Sequence, residues 1–327
     1  MAYFEVRTPG VWLTATMLLW GVASFNAVPA HAKTELWVYS SVYKQFIAPI
    51  ASAFERKYPD IEVQVFQAGS EQIQAKVEAE ILARRPQADF VMTSDPFWPS
   101  QLESRGFLYR PKTGPAVQTN YYSLMVMIAL RSFPKAQRPK KWSDLADPRF
   151  NHIEQMGSPL ESGTTFVATA YLSDRYGWDF FDKLRANVIG CSGGNSTVIE
   201  KVESSEKKIG MVLLENALAA IKRASPIDII YPEDGGIPIP SMQFIMKASP
   251  HVAAAEKFSA FLLSVEGQRL LRAGYMYSVN PAVPAPDGAL PFAQATRGTT
   301  PWTPERFARF SSQSKEIKKK FDDIVLE

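Results

Sequence analysis

The sequence has 327 residues, of which 46% are hydrophobic and 21% are charged, and 36 Lys and Arg oppose 33 Asp and Glu to give a formal net charge of +3. This composition is typical of a globular chain with a large core, and it excludes a disordered or fibrous protein. The positive excess is too small to indicate a nucleic-acid partner. The length favours two lobes over one.

The first 32 residues have the pattern of an export signal. Arg7 precedes a largely apolar stretch over 11–23, and Ala30-His31-Ala32 has the small-x-small form of a cleavage site. The stretch is shorter than the about 20 residues that span a bilayer. We therefore predict a signal peptide at 1–32, cleaved after Ala32, and a mature protein in the periplasm. An uncleaved N-terminal anchor is the alternative.

Cys191 is the only cysteine of the chain. The mature protein therefore has no internal disulfide, and the leader has no cysteine that could accept a lipid. An exported protein without disulfides is expected to be a large domain that is stable through burial alone.

From Leu36 onwards, apolar runs alternate with segments of helical periodicity in the order strand, helix, strand, helix, strand. This order predicts a parallel sheet with helices on its faces. Ser40 and Ser41 are N-cap candidates for the helix that ends at Tyr58, and Pro49 is expected to kink or restart it. Three loops follow the strands, and ligands bind at such strand ends in open α/β sheets. Their small or polar residues are Ser40, Ser41, Gly69, Ser70, Ser94 and Asp95.

A second set of elements follows a strand over 121–130 and a basic linker over 134–141. Ser162 is predicted to cap a helix that Gly177 ends. A segment over 242–247 is expected to cross back to the first lobe. The predicted division is a leader at 1–32, the first lobe at 33–124, the second lobe at 125–241, and the completion of the first lobe with the C-terminal helices at 242–327.

Four phrases of the mature chain resemble one known family. They are FSAFLLSVEGQ at 258–268, WSDLADP at 142–148, SGT at 162–164 and FERKYP at 54–59. Their order and spacing are similar to those of the class 2 periplasmic binding proteins, in the branch that contains ferric-iron-binding, hexose-phosphate-binding and phosphonate-binding proteins.

This resemblance implies an α/β fold of two lobes, each a mainly parallel sheet flanked by helices, joined by a strand hinge that closes on a ligand. It also implies a monomer without enzymatic activity or cofactor. The closed form would dock onto the transmembrane permease subunits of an ABC importer, whose ATPase is a separate subunit.

In the iron-binding members of the family that this chain resembles, a histidine follows the first strand and two tyrosines follow a strand of the second lobe. Here Tyr43 stands where the histidine is expected, and Glu215 follows the second-lobe strand without a tyrosine pair. The pair Tyr121-Tyr122 falls in the crossing strand instead. Because ferric iron prefers phenolate and carboxylate oxygens, we predict no metal site. Iron held by Glu71, Glu215 and Asp234 is the alternative.

Small polar residues at predicted helix starts indicate an anion instead. Helix N-termini offer amide hydrogens and a positive dipole end, although each serine could simply cap its helix. Glu215 and Asp234 would accept hydrogen bonds from hydroxyls or pair with an ammonium group on the rest of the ligand. A sugar phosphate or a phosphonate satisfies both halves. The candidate ligand-binding residues are Ser40, Ser41, Tyr43, Gly69, Ser70, Ser94, Asp95, Ser162, Gly163, Thr164, Thr165, Asn195, Glu215 and Asp234.

Parts of the sequence also match two further function classes. The segment 190–194 matches the G-x-S-x-G pattern of serine hydrolases, but His251 is the only histidine downstream, and a lone cysteine such as Cys191 is usually inert. We therefore predict no enzyme. A sensor that signals through a membrane receptor would use the same cleft, and the sequence does not separate it from a transport protein.

Overall fold

The computed structural model describes residues 1–3, 5 and 32–326. The chain divides into two units, Met1–Ala32 and Lys33–Glu327. Most of the predicted signal peptide lies outside the described residues. Where the structure describes the chain, no helix combines the length and the apolar character needed to cross a membrane.

The second unit contains one sheet of ten strands, covered by helices on its faces. The strands are β1 Thr34–Ser40, β2 Ile61–Gln67, β3 Phe90–Thr93, β4 Val117–Leu130, β5 Glu154–Met156, β6 Gly190–Cys191, β7 Ile209–Leu213, β8 Ile227–Ile230, β9 Ile237–Ile245 and β10 Tyr277–Ser278. The helices are α1 Lys44–Lys57, α2 Ser70–Leu82, α3 Trp98–Ser104, α4 Gly163–Tyr176, α5 Asp179–Ala186, α6 Asn195–Glu203, α7 Leu214–Lys222, α8 Val252–Leu263, α9 Val265–Ala273, α10 Phe292–Ala295 and α11 Pro304–Phe321. Shorter helical turns lie at Lys135–Gln137, Trp142–Ala146, Pro148–Phe150 and Asp322–Leu326.

The strand order defines two lobes and the strands that join them. The order is β2-β1-β3-β9-β4-β7-β5-β6, with β8 and β10 also paired to β4. Strands β2, β1 and β3 run parallel in the first lobe, and β7, β5 and β6 run parallel in the second. Between them, β9 and β4 pair antiparallel from Val117–Phe244 to Met125–Ile237. The predicted two-lobed α/β architecture with a strand hinge is therefore confirmed.

The first lobe buries both faces of its sheet, which explains why its strands are apolar almost throughout. In β1, Leu36 and Val38 pack against α1, α8 and α9 on one face, whereas Tyr39 faces α2 and α3 on the other. Phe54 of α1 meets Phe258 of α8 edge to face, with ring centroids 5.0 Å apart. Each fully buried side chain of this size contributes about 1.5–3 kcal/mol to stability.

The second lobe has the same layered construction. Trp142 and Phe166 belong to a core that contains the apolar sides of α4, α5 and α11. Val198 and Val202 of α6 pack with α7 on the opposite face. The predicted lobe boundaries after residues 124 and 241 stay predictions; they fall within β4 and β9, which run through both lobes.

The structure tests three predictions about where helices begin and end. Ser162 caps α4 by accepting a hydrogen bond from the Thr165 amide at 3.3 Å, and Gly177 ends that helix with φ at 74°. These two predictions are confirmed. The prediction that Ser40 and Ser41 cap α1 is wrong, because α1 begins at Lys44 and continues through Pro49.

Candidate functional site

A cleft of about 670 Å³ lies between the two lobes. Its floor is formed where β4 runs from one lobe to the other, and its walls are formed by loops and helix starts of both lobes. The lining residues are Ser41, Val42, Tyr43, Phe46, Gln67, Gly69, Ser70, Ser94, Tyr121, Ser123, Glu161, Ser162, Gly163, Thr164, Gly194, Asn195, Leu213, Glu215 and Met276.

Most of the residues predicted from sequence to bind a ligand meet in this cleft. The first lobe contributes Ser41, Tyr43, Gly69, Ser70 and Ser94, and the second contributes Ser162, Gly163, Thr164, Asn195 and Glu215. They converge because the loops after β1, β2 and β3 all leave the same edge of a parallel sheet and face the starts of α4 and α6.

Four predicted residues do not line the cleft. Ser40 is fully buried and accepts a hydrogen bond from the Val42 amide. Asp95 lies behind the wall, where it accepts from the Phe97 amide at 2.8 Å. Thr165 is buried within the first turn of α4.

Asp234 lies elsewhere in the second lobe, and its carboxylate already has hydrogen-bond partners. Its carboxylate accepts hydrogen bonds from the Tyr176 hydroxyl and from the Trp142 amide, the latter at 3.3 Å, and Arg175 lies 3.8 Å away. This loop packs on the C-terminal end of α4, whereas the cleft lies at the N-terminal end. Asp234 therefore stabilises the lobe, and the structure offers no role for it in the cleft.

Three serines of the first lobe form one hydroxyl cluster at the cleft wall. The Ser70 and Ser94 hydroxyls are 2.8 Å apart, and the Ser94 amide donates to Ser41 Oγ at 3.1 Å. These hydroxyls can rotate to donate or to accept, so the cluster can turn hydrogens toward an anion.

The second lobe presents a matching polar wall. The Ser162 and Thr164 hydroxyls are 3.1 Å apart, and Asn195 Nδ2 donates to Thr164 Oγ1 at 3.0 Å. Asn195 Oδ1 accepts from the Leu213 amide at 3.0 Å, which fixes the start of α6 to the end of β7. These bonds hold the wall rigid, so little ordering would be needed on binding.

Five helix starts line the cleft, those of α1 and α2 in the first lobe and those of α4, α6 and α7 in the second. Amides of a first helical turn have no intrahelical acceptor, and the helix dipole adds positive potential. Among the described residues that line the cleft there is no lysine, arginine or histidine. An anion here would therefore be held by backbone amides and hydroxyls.

Glu215 is the buried acidic group of the cleft, with 6% of its surface exposed. Burial raises its pKa to about 7, although a hydrogen bond from Ser123 opposes the shift. The Ser123 hydroxyl donates to Glu215 Oε1 at 2.5 Å. The backbone amides of Glu215 and Leu124 also stabilise this carboxylate, and donors of a ligand could add to them.

Three polar residues of the cleft, Gln67, Ser123 and Glu161, escaped the sequence analysis. Ser123 is a single hydroxyl within the apolar run of β4, a signal that could have been read as a buried polar site. Glu161 precedes the cap of α4 and accepts from the Gly193 amide at 3.2 Å. Its position gave no signal in the sequence.

The lobes touch directly beside the cleft. A Cβ on Gly163 of the second lobe would lie 2.7 Å from Cβ of Ser70 in the first lobe. The Ser196 hydroxyl lies 3.5 Å from the Tyr43 hydroxyl across the opening. The two lobes are therefore close to each other around the cleft.

The motifs of other function classes lie apart from one another. Ser192, the serine of G-x-S-x-G, is 3.5 Å from Gln155 Nε2, whereas His251 is 3.3 Å from Asp89 in the first lobe. Burial raises the pKa of the Cys191 thiol to about 12. Within the described part of the chain, no group of three or more His, Cys, Asp or Glu could hold a metal ion.

Solved structures with this fold are numerous. The periplasmic binding protein AfuA from Actinobacillus pleuropneumoniae, solved with exogenous fructose 6-phosphate bound, is 23% identical; the match covers 90% of this chain and 99% of AfuA with a TM-score of 0.78. Iron-bound HitA from Pseudomonas aeruginosa is 20% identical, with 88% and 99% covered and a TM-score of 0.75. These similarities confirm the class 2 periplasmic binding protein fold.

No curated protein sequence matches the chain. The sequence model of one family, described as bacterial extracellular solute-binding protein, matches residues 36–276. Because this match spans well over half of the sequence, the chain belongs to the bacterial extracellular solute-binding proteins.

Proposed function

We propose that this chain is the periplasmic substrate-binding component of an ABC importer and that its ligand is a small organophosphate or phosphonate. The two lobes close on the ligand, and the closed form delivers it to the transmembrane permease subunits, which a separate ATPase drives. The observation that carries this proposal is the meeting of helix starts from both lobes in a cleft whose described lining contains no cationic side chain.

The anionic end of the ligand would lie against the starts of α2, α4 and α6. Amides and the hydroxyls of Ser70 and Thr164 would donate to its oxygens. Both lobes contribute donors, so each lobe alone satisfies only part of the anion. Closure is therefore favoured when the ligand is present, because only the closed form makes the full set of contacts.

The other end of the ligand would lie near Glu215. This carboxylate, already bonded to Ser123, accepts hydrogen bonds from hydroxyl or ammonium groups. A sugar phosphate offers hydroxyls and an aminoalkylphosphonate offers an ammonium group.

Ferric iron is disfavoured by the chemistry of the same cleft. Tyr43 and Tyr121 are its tyrosines, and burial raises the pKa of Tyr121 above the usual range, which opposes the phenolate form that iron requires. Glu161 and Glu215 alone would provide too few hard ligands.

A thermal-shift panel on the purified mature protein tests the proposal. The panel contains fructose 6-phosphate, 2-aminoethylphosphonate, citrate, ferric iron and a polyamine, each at several concentrations. A compound present at about 100 times its dissociation constant should stabilise the protein by about 2.7 kcal/mol. Stabilisation by phosphoryl compounds supports the proposal. Stabilisation by iron or by the polyamine alone contradicts it.

A further inference from the structure

The C-terminal helix α11 is built into the core of the second lobe. Ile317 and Phe321 are buried there, and the Phe321 ring lies 5.4 Å from that of Phe181 in α5. Arg306 and Arg309 both pair with Asp174 of α4, at 2.9 and 2.6 Å. When the lobes move, α11 therefore moves with the second lobe.

The same helix also contacts the first lobe. Lys318 Nζ lies 2.5 Å from Glu71 Oε2 at the start of α2. Two helical turns earlier in α11, the Ser311 hydroxyl is 2.7 Å from that of Ser100 and donates to the Phe97 carbonyl at 3.0 Å. Lys318 also lies over the Phe166 ring of α4, 4.5 Å from its centroid. Lys318 is thus placed between the two lobes.

Two carboxylates lie behind the α2 start that faces the cleft. Glu71 follows Ser70 directly, and its Oε1 is buried without a hydrogen-bond partner among the described residues. Asp95 is 3% exposed, and a Cβ on Gly163 of the opposite lobe would lie 3.4 Å from its Cβ. Burial and the negative charge of Glu71 raise the pKa of Asp95 to about 6, and Lys318 opposes this shift. Lys318 therefore acts electrostatically on both carboxylates.

These two negative charges are unfavourable neighbours for an anion bound at the start of α2. Like charges a few ångströms apart in a partly buried site repel strongly, because solvent screening is weak there. A cation that compensates them would strengthen anion binding without entering the cleft. Lys318 has this position only while α11 lies against α2.

We propose that Lys318 is a positioning residue that couples lobe closure to anion capture by offsetting part of the negative charge of Glu71 and Asp95 when the lobes come together. Opening would withdraw Lys318 with the second lobe and expose the anion site to both carboxylates, so release of the ligand would be favoured. This inference rests on the proposed function for the identity of the ligand, but the bridge between the lobes stands without it.

The test compares Lys318→Met, Glu71→Gln and the double variant Lys318→Met/Glu71→Gln with the wild type. Isothermal titration with fructose 6-phosphate and 2-aminoethylphosphonate measures affinity. Small-angle X-ray scattering of the ligand-free proteins measures the radius of gyration. Lys320→Met is the matched control, since Lys320 lies on the same helix over Trp178 of the second lobe.

We expect Lys318→Met to weaken binding of the phosphoryl compound at least tenfold and to enlarge the ligand-free protein. The double variant should regain most of the affinity, because it removes a repelling carboxylate together with its counter-charge. A purely structural role for Lys318 would not give this recovery. The control variant should match the wild type in both measurements.

Two results would overturn the inference in different ways. If the wild type binds a phosphoryl compound and Lys318→Met binds it equally well, the inference fails and the proposed function stands. If the wild type binds neither compound, the anion assignment and the coupling fail together.

Discussion

Gly163 of α4 lies so close to Ser70 of α2 that a methyl group on the glycine would approach the serine Cβ to 2.7 Å. The contact joins the two lobes at the edge of the cleft. Side-chain Cβ atoms do not tolerate this distance, so any side chain at position 163 would push the helix starts apart. The absence of a side chain there is a condition for the lobe arrangement that the structure has.

Gly163→Ala is expected to weaken ligand binding at least tenfold, which corresponds to about 1.4 kcal/mol. The added methyl group separates the starts of α2 and α4, so one anion cannot meet both. Titration with the phosphoryl compound that stabilises the wild type measures the loss. The ligand-free variant should have a larger radius of gyration.

Ser173→Ala is the matched control for this variant. Ser173 lies in α4 outside the cleft lining, and its hydroxyl donates within the helix to the Ala170 carbonyl. It should therefore retain nearly full affinity. Equal losses in both variants would mean that closure does not depend on the Gly163 contact.

Glu215→Gln is expected to lower affinity about tenfold to a hundredfold, because hydrogen bonds to a charged partner contribute about 1.5–3 kcal/mol. The loss should shrink as the pH falls below about 7, where the wild-type carboxyl is itself protonated. Titrations between pH 5.5 and 8.5 would measure it. A variant with unchanged affinity across this range would remove Glu215 from ligand recognition.

Ser123→Ala should raise the pKa of Glu215 further, because the Ser123 hydroxyl stabilises the ionised carboxylate. Carbon-13 NMR of labelled glutamate carboxyls would follow this titration directly. Ser173→Ala is a suitable control, since the Ser173 hydroxyl donates within α4 to Ala170. A Glu215 pKa that stays in place would show that the Ser123 bond is weak in solution.

The order of strands and helices was accessible from the sequence because it depends on local patterns. Alternation in β2, helical spacing in α1 and the cap of α4 by Ser162 are properties of neighbouring residues. The same locality explains why most of the cleft was predicted. Once the strands are parallel, the loops after β1, β2 and β3 must lie at one edge.

Asp234 and Lys318 show where this reasoning stops. Whether an acidic loop faces the cleft or packs on the end of α4 depends on how distant segments meet, and no local pattern encodes that. The spacing of Phe310, Ile317 and Phe321 predicts a helix face, but not the lobe that buries it. The sequence therefore predicts the residues that line the cleft better than the residues that pack behind them.

Cys191 should react slowly with thiol reagents in the native protein. Its Sγ lies 3.3 Å from the Gly157 carbonyl oxygen, and burial raises its pKa to about 12, so little thiolate exists at pH 8. A colorimetric disulfide reagent should label it rapidly only after denaturation. Fast labelling of the native protein would contradict the raised pKa of this partly buried thiol.

Glu154 makes stability fall as the pH rises. Both of its carboxylate oxygens are buried without a hydrogen-bond partner among the residues that the structure describes. Burial raises its pKa from an ordinary 4.5 to about 9. The unfolded chain therefore loses this proton above about pH 4.5 while the folded protein keeps it to about pH 9, so folding becomes less favourable between these values.

Glu154→Gln should remove this dependence, because the amide is neutral at every pH. We expect the variant to melt at a higher temperature than the wild type at pH 8 and at nearly the same temperature at pH 4. Glu200→Gln, at an exposed position of α6, is the control and should follow the wild type at both values. Parallel melting curves of Glu154→Gln and wild type from pH 4 to 9 would show that Glu154 is ionised inside the folded lobe, with a partner that stabilises its charge.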